Sequence, residues 1–249
     1  MPSREALGVL ILGGTAEATA LAIRLHTERR VERLVLSLAG RTLRPDLPEG
    51  VEARIGGFGG AAGLAAYLAA EGITHLVDAT HPFAAGISRN AAEAALAAGV
   101  PRLALHRPGW DARPGDRWVH VACLKSACDA LPPGARPFLA LGRQHIAPFR
   151  HRPDLRPVLR MVDPPDALPF AADLVLGKPG DAASEIALFA GKGITHVVCR
   201  NAGGAASYAK IEAAGALRLP VVLIDRPPAP PPPMVASVEE AVAWLRRTP

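Results

Sequence analysis

The chain has 249 residues, a formal net charge of +5, 49% hydrophobic residues and only 4% aromatics. That length suits one large or two small domains, with a core of alanine, leucine and valine as in layered α/β proteins. No apolar run reaches a membrane span, no leader precedes the first apolar strand, and three cysteines lack any Cys-x-x-Cys pair, so a cytoplasmic protein without disulfide, zinc or other metal site is expected. The arginines are scattered and have no stacking aromatics beside them, which disfavours nucleic acid and favours a small anionic substrate.

Gly8-Val9-Leu10-Ile11-Leu12 reads as a buried parallel strand. Gly13 and Gly14 follow at once, and Thr15 opens an alanine-rich helix with Ala18, Leu21, Ala22 and Leu25 at helical spacing. Strand, tight glycine turn and helix form the opening unit of a nucleotide-binding α/β domain. The glycines let a phosphate approach, and the first free N–H groups of the helix face it. Thr15 and Ala18 stand where a full G-x-G-x-x-G motif has glycines, so a turn without a ligand competes with this reading.

The next strand, Leu34-Val35-Leu36-Ser37, places Ser37 where an NAD site usually carries Asp or Glu, and Leu38-Ala39-Gly40-Arg41 follow. A hydroxyl and a guanidinium suit a ribose 2′-phosphate, which a carboxylate would repel. NADPH is therefore expected over NADH.

Val51 to Ile55 is a short strand, followed by Gly56-Gly57-Phe58-Gly59-Gly60 and a helix from Leu64 to Ala70. Such a glycine cluster lets backbone approach a ligand or another segment, or is plain loop. His75 to Ala79 is a buried strand running into Thr80-His81-Pro82-Phe83 and a helix through Ala98. Pro101 to Leu105 is another strand, ending at Arg107-Pro108. Trp118 to Val121 and the helical stretch after it close the first half near Gly134.

The pattern then restarts. Gly72-Ile73-Thr74-His75-Leu76-Val77 recurs as Gly193-Ile194-Thr195-His196-Val197-Val198, and Pro101 to Pro108 recurs as Pro220 to Pro227. Phe138 to Gln144 stands where Leu10 to Thr15 stood, and the helix Val238 to Arg247 answers the one near Lys125 to Leu131. These copies predict two tandem Rossmann-like α/β domains, residues 1–134 and 135–249, each a mainly parallel sheet with crossover helices. Pro227 to Pro233 reads as a stiff connection.

The copies diverge at the first turn. The second has Gly142-Arg143-Gln144, whose side chains would fill a phosphate site, so the first domain is expected to hold the dinucleotide and the second the substrate. Ligands of open α/β sheets lie beyond the carboxyl ends of the strands, so the two domains are expected to face one cleft there. His81 could donate a proton, orient the cofactor or simply tie its loop. His75 and His196 read as structural and Cys123, Cys128 and Cys199 as buried fillers. Tyr208 and Lys210 are too close in sequence to share a helix face as a short-chain-dehydrogenase pair would.

These stretches together resemble the precorrin-6A reductases of cobalamin biosynthesis. The resemblance rests on Leu12 to Ala18, Ala39-Gly40-Arg41-Thr42, Gly56 to Gly60, Asp78 to Ala84, Leu141 to Gln144, Asn201-Ala202-Gly203-Gly204, Ala209-Lys210 and Arg226-Pro227. The chain departs at Gly177-Lys178-Pro179-Gly180, where an Arg-Gly-Pro-Phe-like loop is expected. The resemblance implies NADPH-dependent reduction of one double bond of precorrin-6A to give precorrin-6B, with neither metal nor flavin.

With the residue readings, it places cofactor contacts at Gly13, Gly14, Thr15, Ser37, Arg41, Gly57, Thr80 and His81. Substrate contacts fall at Arg143, Gln144, Asn201, Gly203, Gly204 and Lys210, with His81 and Lys210 as catalytic groups. Transient contact with neighbouring enzymes of the pathway is expected. Three rival readings remain: a non-catalytic NADPH-sensing protein, a methyltransferase-like α/β protein, and a reductase of the cobalt-bearing substrate.

Overall fold

The computed structural model describes residues 7–29, 31–40 and 47–248. Arg41 and Thr42 lie outside the described residues.

The first stretch of chain forms β1 (Gly8–Leu12), α1 (Ala16–Glu28), β2 (Arg33–Leu38), β3 (Glu52–Ile55), α2 (Ala61–Ala70), β4 (His75–Asp78), α3 (Ala85–Ala98) and β5 (Arg102–Leu105). The middle stretch forms β6 (Trp118–Val121), α4 (Leu124–Asp129), β7 (Pro137–Ala140), β8 (Val158–Met161), β9 (Asp173–Leu176), α5 (Ala182–Gly191), β10 (His196–Arg200), α6 (Ala209–Ala216) and β11 (Val221–Ile224). The last stretch adds β12 (Met234–Val235) and α7 (Val238–Arg247).

Two sheets of six strands each result, in the orders β12-β5-β4-β1-β2-β3 and β6-β11-β10-β7-β8-β9, with parallel pairing among the described residues. β1 has every residue buried, as the central strand of a doubly covered sheet must. Its side chains alternate: Val9 and Ile11 pack with Leu21 and Leu25 of α1 and Leu245 of α7, whereas Leu10 and Leu12 pack with Leu64 and Leu68 of α2 and Ala91 of α3. The second sheet packs Phe138, Val197 and Val221 against Phe189 of α5 and Ile211 of α6. A fully buried leucine or phenylalanine contributes roughly 1.5–3 kcal/mol each.

The repeated Gly-Ile-Thr-His segment does the same work twice. Thr74 Oγ1 accepts the Gly8 N–H at 3.1 Å while Thr74 N–H donates to Gly8 O at 2.8 Å. Thr195 Oγ1 accepts the Arg136 N–H at 2.9 Å while Thr195 N–H donates to Arg136 O at 3.0 Å. Each threonine fastens the entry of a sheet's inner strand to the entry of its neighbour.

The domain limits differ from residues 1–134 and 135–249. One compact unit comprises Met1–Pro108 with Pro227–Pro249, and the other Gly109–Arg226. The sixth strand decides this: β6 hydrogen-bonds to β11, and β12 to β5. Both exchanges occur at an Arg-Pro dipeptide, Arg107-Pro108 and Arg226-Pro227. Arg107 pairs with Glu17 in the unit the chain is leaving. Arg226 likewise donates to Asn201 O at 2.7 Å and Ala202 O at 3.0 Å. The proline-rich stretch runs along β5, where Pro233 O accepts the Ala104 N–H and Pro231 O accepts from the buried Arg102.

A second difference concerns the first crossover of the Gly109–Arg226 unit. It is no α-helix but two short 3-10 turns, Arg143–His145 and Ala147–His151. β8 and β9 carry no clear sequence signal, because Arg160 and Asp173 interrupt short apolar runs. Cys128 and Cys199 are buried but Cys123 is exposed, which corrects its reading as a core filler. Among the described residues no helix is long and apolar enough to cross a membrane.

Candidate functional site

The turn after β1 is built by three residues with different tasks. Gly13 N–H donates to Ser37 O at 2.8 Å, and a Cβ on Gly13 would sit 2.8 Å from Leu36 Cδ1, so this glycine lets β1 lie close to β2. Gly14 is exposed with φ +109°, and a Cβ there would meet no atom within 4 Å. The space above it is open, at the point where α1 begins. Thr15 caps α1: its Oγ1 accepts the Ala18 N–H at 3.1 Å and donates to Ala79 O at 2.8 Å. The first N–H groups of a helix have no internal partner, and the helix dipole adds positive potential. This cradle fits a dinucleotide pyrophosphate, and a β-carbon on Gly14 would occupy it.

The neighbouring loop leaves β4. Asp78 is buried at 3% exposure, and its Oδ1 accepts both Thr80 Oγ1–H at 2.7 Å and Thr80 N–H at 3.2 Å. Thr80 Oγ1 also lies 3.4 Å from Ser88 Oγ in the first turn of α3. His81 Nδ1 accepts the Phe83 N–H at 3.2 Å, so a neutral His81 carries its proton on Nε2. His81 thus ties its loop, with its ring 5.8 Å from that of Phe83. In register, Leu12 is flanked by Ser37 on one side and Asp78 on the other, which puts the Gly14, Thr80 and Ser37 segments at one sheet edge.

Ser37 is only 5% exposed inside β2. Its neighbour across the ladder, Arg54, is a residue that the sequence reading passed over. Arg54 Nη1 donates to Gly56 O at 2.7 Å and Nη2 to Gly57 O at 2.8 Å, and its guanidinium lies over Phe58 at 3.8 Å from the ring centroid. An arginine at a strand's end followed by Gly-Gly-Phe was the available signal. Gly57 accordingly presents its carbonyl to Arg54.

In the second unit Gly142 has φ +75° at the end of β7, and Arg143 and Gln144 are exposed on the following 3-10 turn. Other expected substrate contacts are turned inward. Asn201 Oδ1 accepts the Trp110 N–H at 2.8 Å and Asn201 Nδ2 donates to Trp110 O at 3.3 Å. Trp110 Nε1 donates to Gly204 O at 2.9 Å, and Gly203 is buried. Lys210 is 9% exposed, with Nζ donating to Ser207 O at 2.5 Å and lying 4.9 Å from the Trp110 ring centroid. Burial pushes its ammonium pKa down.

Asn201 and Lys210, read from the sequence as substrate contacts with Lys210 also as a catalytic group, thus engage neighbours within their own unit. Their polar atoms bind Trp110 and the adjoining loop, a partner far away in sequence. Arg160 of β8 lies where Ser37 lies in the first unit, and its Nη1 pairs with the fully buried Glu185 at 2.5 Å. A salt bridge thus occupies the second unit's counterpart of the nucleotide edge.

Three comparisons with known proteins bear on this architecture. The family model Precorrin-6x reductase CbiJ/CobK matches residues 8–246. The chain is 46% identical over 241 residues to Precorrin-6A reductase of Rhodobacter capsulatus, covering 95% of each chain. It is 47% identical over 241 residues to that of Rhodococcus erythropolis, covering 95% of this chain and 96% of the relative. A solved structure described as CobK precorrin-6A reductase superposes with a TM-score of 0.91 at 45% identity, covering 96% of each chain.

Proposed function

The chain belongs to the precorrin-6x reductase family CbiJ/CobK, and from that membership we propose how its two units divide the work of precorrin-6A reduction. The protein is an oxidoreductase of cobalamin biosynthesis that reduces one double bond of the macrocycle to give precorrin-6B. When bound, NADPH supplies the hydride.

The first unit receives the dinucleotide. The Gly13-Gly14-Thr15 turn and the opening N–H groups of α1 hold the pyrophosphate, and the open space over Gly14 is the observation that carries this assignment. Ser37 and Arg41 stand in the sequence where an NAD site carries its acid, and Leu38-Ala39-Gly40 between them bring no carboxylate to repel a ribose phosphate. Thr80 and His81 border the nicotinamide half, where the His81 imidazole can orient the cofactor or take part in proton transfer.

The second unit receives the substrate. Arg143 and Gln144 stand exposed beyond β7 and offer a guanidinium and an amide to the carboxylates of the macrocycle. Its first crossover lacks an α-helix, so it offers no equivalent phosphate cradle.

The test is NADPH oxidation followed by absorbance with purified protein and precorrin-6A, beside titration of each cofactor without substrate. Turnover with NADPH preferred over NADH supports the proposal. Cofactor binding with no turnover would favour a sensor, no NADPH affinity would overturn the first unit's role, and turnover only of the cobalt-bearing substrate would reassign the substrate.

A further inference from the structure

Arg54 stands at the outer flank of the candidate nucleotide edge. β3 lies beside β2, and Arg54 is the register partner of Ser37, where the ribose of a dinucleotide is expected. The side chain is held in a fixed plane. Its guanidinium lies 3.8 Å from the Phe58 centroid and 5.2 Å from that of Tyr67, and the two rings meet edge to face at 5.2 Å. Gly56 O and Gly57 O fix its two terminal nitrogens.

The glycine cluster makes this mounting possible. Gly56, Gly59 and Gly60 have φ of +117°, +77° and +94°, which turn the segment back over the arginine. Gly63 lets α2 close on Phe58, since a Cβ there would stand 1.8 Å from Phe58 O.

Two neutral carbonyls do not neutralise a cation. Arg33 in the same sheet reaches both Glu52 and Glu71, whereas no carboxylate among the described residues pairs with Arg54. A guanidinium has five N–H groups in a rigid fork, so Nε–H and one further N–H on each terminal nitrogen stay available to a second acceptor. A preorganised guanidinium with no carboxylate partner among the described residues, at the ribose end of a dinucleotide site, suits a phosphate dianion bound by two parallel hydrogen bonds.

We propose that Arg54 joins Ser37 and Arg41 in binding the 2′-phosphate of the adenosine ribose and is required for the preference for NADPH over NADH, with Phe58 and the Gly56–Gly57 carbonyls as its mount. This rests on the dinucleotide reading of the first unit. The role requires no movement of the guanidinium on binding, so the ordering entropy of a long side chain is already met before the cofactor arrives.

The experiment titrates intact wild-type protein, Arg54→Ala and Arg54→Lys with NADPH, NADH, adenosine 2′,5′-bisphosphate and AMP, reading cofactor fluorescence or heat. Arg54→Ala should lose tenfold or more in affinity for NADPH and for the bisphosphate, and less than twofold for NADH and AMP. Arg54→Lys should recover part of the preference, because an ammonium keeps the charge but neither the fork nor the stacking. Equal losses for both cofactors would make Arg54 a support of the glycine loop and overturn the proposal. So would unchanged selectivity in either variant, and Arg54→Lys alone decides the matter if the alanine variant does not fold. A wild-type protein that binds NADH as well as NADPH would instead overturn the NADPH reading.

Discussion

Thr15 and Ala79 share one hydrogen bond, Oγ1 to O at 2.8 Å, and through it the first turn of α1 is fastened to the end of β4. The same hydroxyl accepts from Ala18 N, so it also caps the helix. Thr15→Val keeps the shape and removes both bonds. It should lower unfolding stability by about 1–2 kcal/mol, measured by urea denaturation, and weaken NADPH binding, while Thr15→Ser should stay near wild type. A Thr15→Val protein with unchanged stability would show that the cap contributes nothing.

The two glycines of the turn should fail in different ways. Gly13→Ala places a Cβ 2.8 Å from Leu36 Cδ1 and should reduce stability by roughly 1–3 kcal/mol, the usual range for overpacking. Gly14→Val meets open space, so its folding penalty is limited to the positive φ, on the order of 1–2 kcal/mol. The added side chain stands where the pyrophosphate is expected, so cofactor titration should show binding lost. NADPH affinity retained in Gly14→Val would remove the phosphate from this turn.

Arg143 and Lys210 separate exposed from buried cations in the second unit. Arg143→Ala should raise the Michaelis constant for precorrin-6A by an amount equivalent to about 1.5–3 kcal/mol, the range for a hydrogen bond to a charged group. Its NADPH affinity should hold. Lys210→Met should shift the melting temperature and leave that Michaelis constant within about twofold, because the Lys210 ammonium is spent on Ser207 O and the Trp110 ring. A large kinetic defect in a fully stable Lys210→Met protein would return Lys210 to the substrate site.

Glu185 is 1% exposed, and its Oε1 takes both Arg160 and the Gly180 N–H at 3.1 Å. Glu185→Leu alone strands a buried guanidinium and should cost about 3–5 kcal/mol in stability. Arg160→Met added to it should recover much of the loss. Denaturation of the single and double variants checks this, and an equally unstable double variant would refute it.

Acid should loosen the contact between α1 and α7. Arg24 at 2.6 Å and Arg246 at 2.9 Å hold the Glu28 carboxyl well below the ordinary value of 4.5, at about 2. A carboxyl depressed in the folded state contributes stability above its unfolded pKa and loses that contribution as pH falls through the folded value. The contribution of Glu28 is therefore complete above about 4.5 and fades toward about 2. Melting temperatures of wild type and Glu28→Gln should differ at neutral pH and converge near pH 2, and an equal gap at both would remove Glu28 as the cause.

The α/β class and the doubled architecture were legible because local signals carry them. β1 is apolar throughout, Thr15 stands ahead of a helix with a regular apolar stripe, and Thr74 and Thr195 recur ahead of matching strands. The Gly13-Gly14-Thr15 turn was legible for the same reason: a positive φ and a capping hydroxyl are demanded by neighbours within a few residues. β8 and β9 were not, since strands of four residues interrupted by Arg160 or opened by Asp173 have no periodicity to read.

What the tertiary structure alone decided is where distant segments meet. Sequence order assigns residues 109–134 to the first unit, yet β6 pairs with β11, and β12 returns to β5. An edge strand gains the same ladder hydrogen bonds on either sheet, so nothing local selects between them, and the choice rests on register and packing across the chain. The same holds for Arg54, whose partners Phe58 and Tyr67 flank a glycine loop, and for Lys210, whose fate is set by Trp110. Side-chain type determines which chemistry a residue can perform. Burial and the partner at hand, both products of long-range packing, determine whether that chemistry is offered to a ligand or used up within the fold.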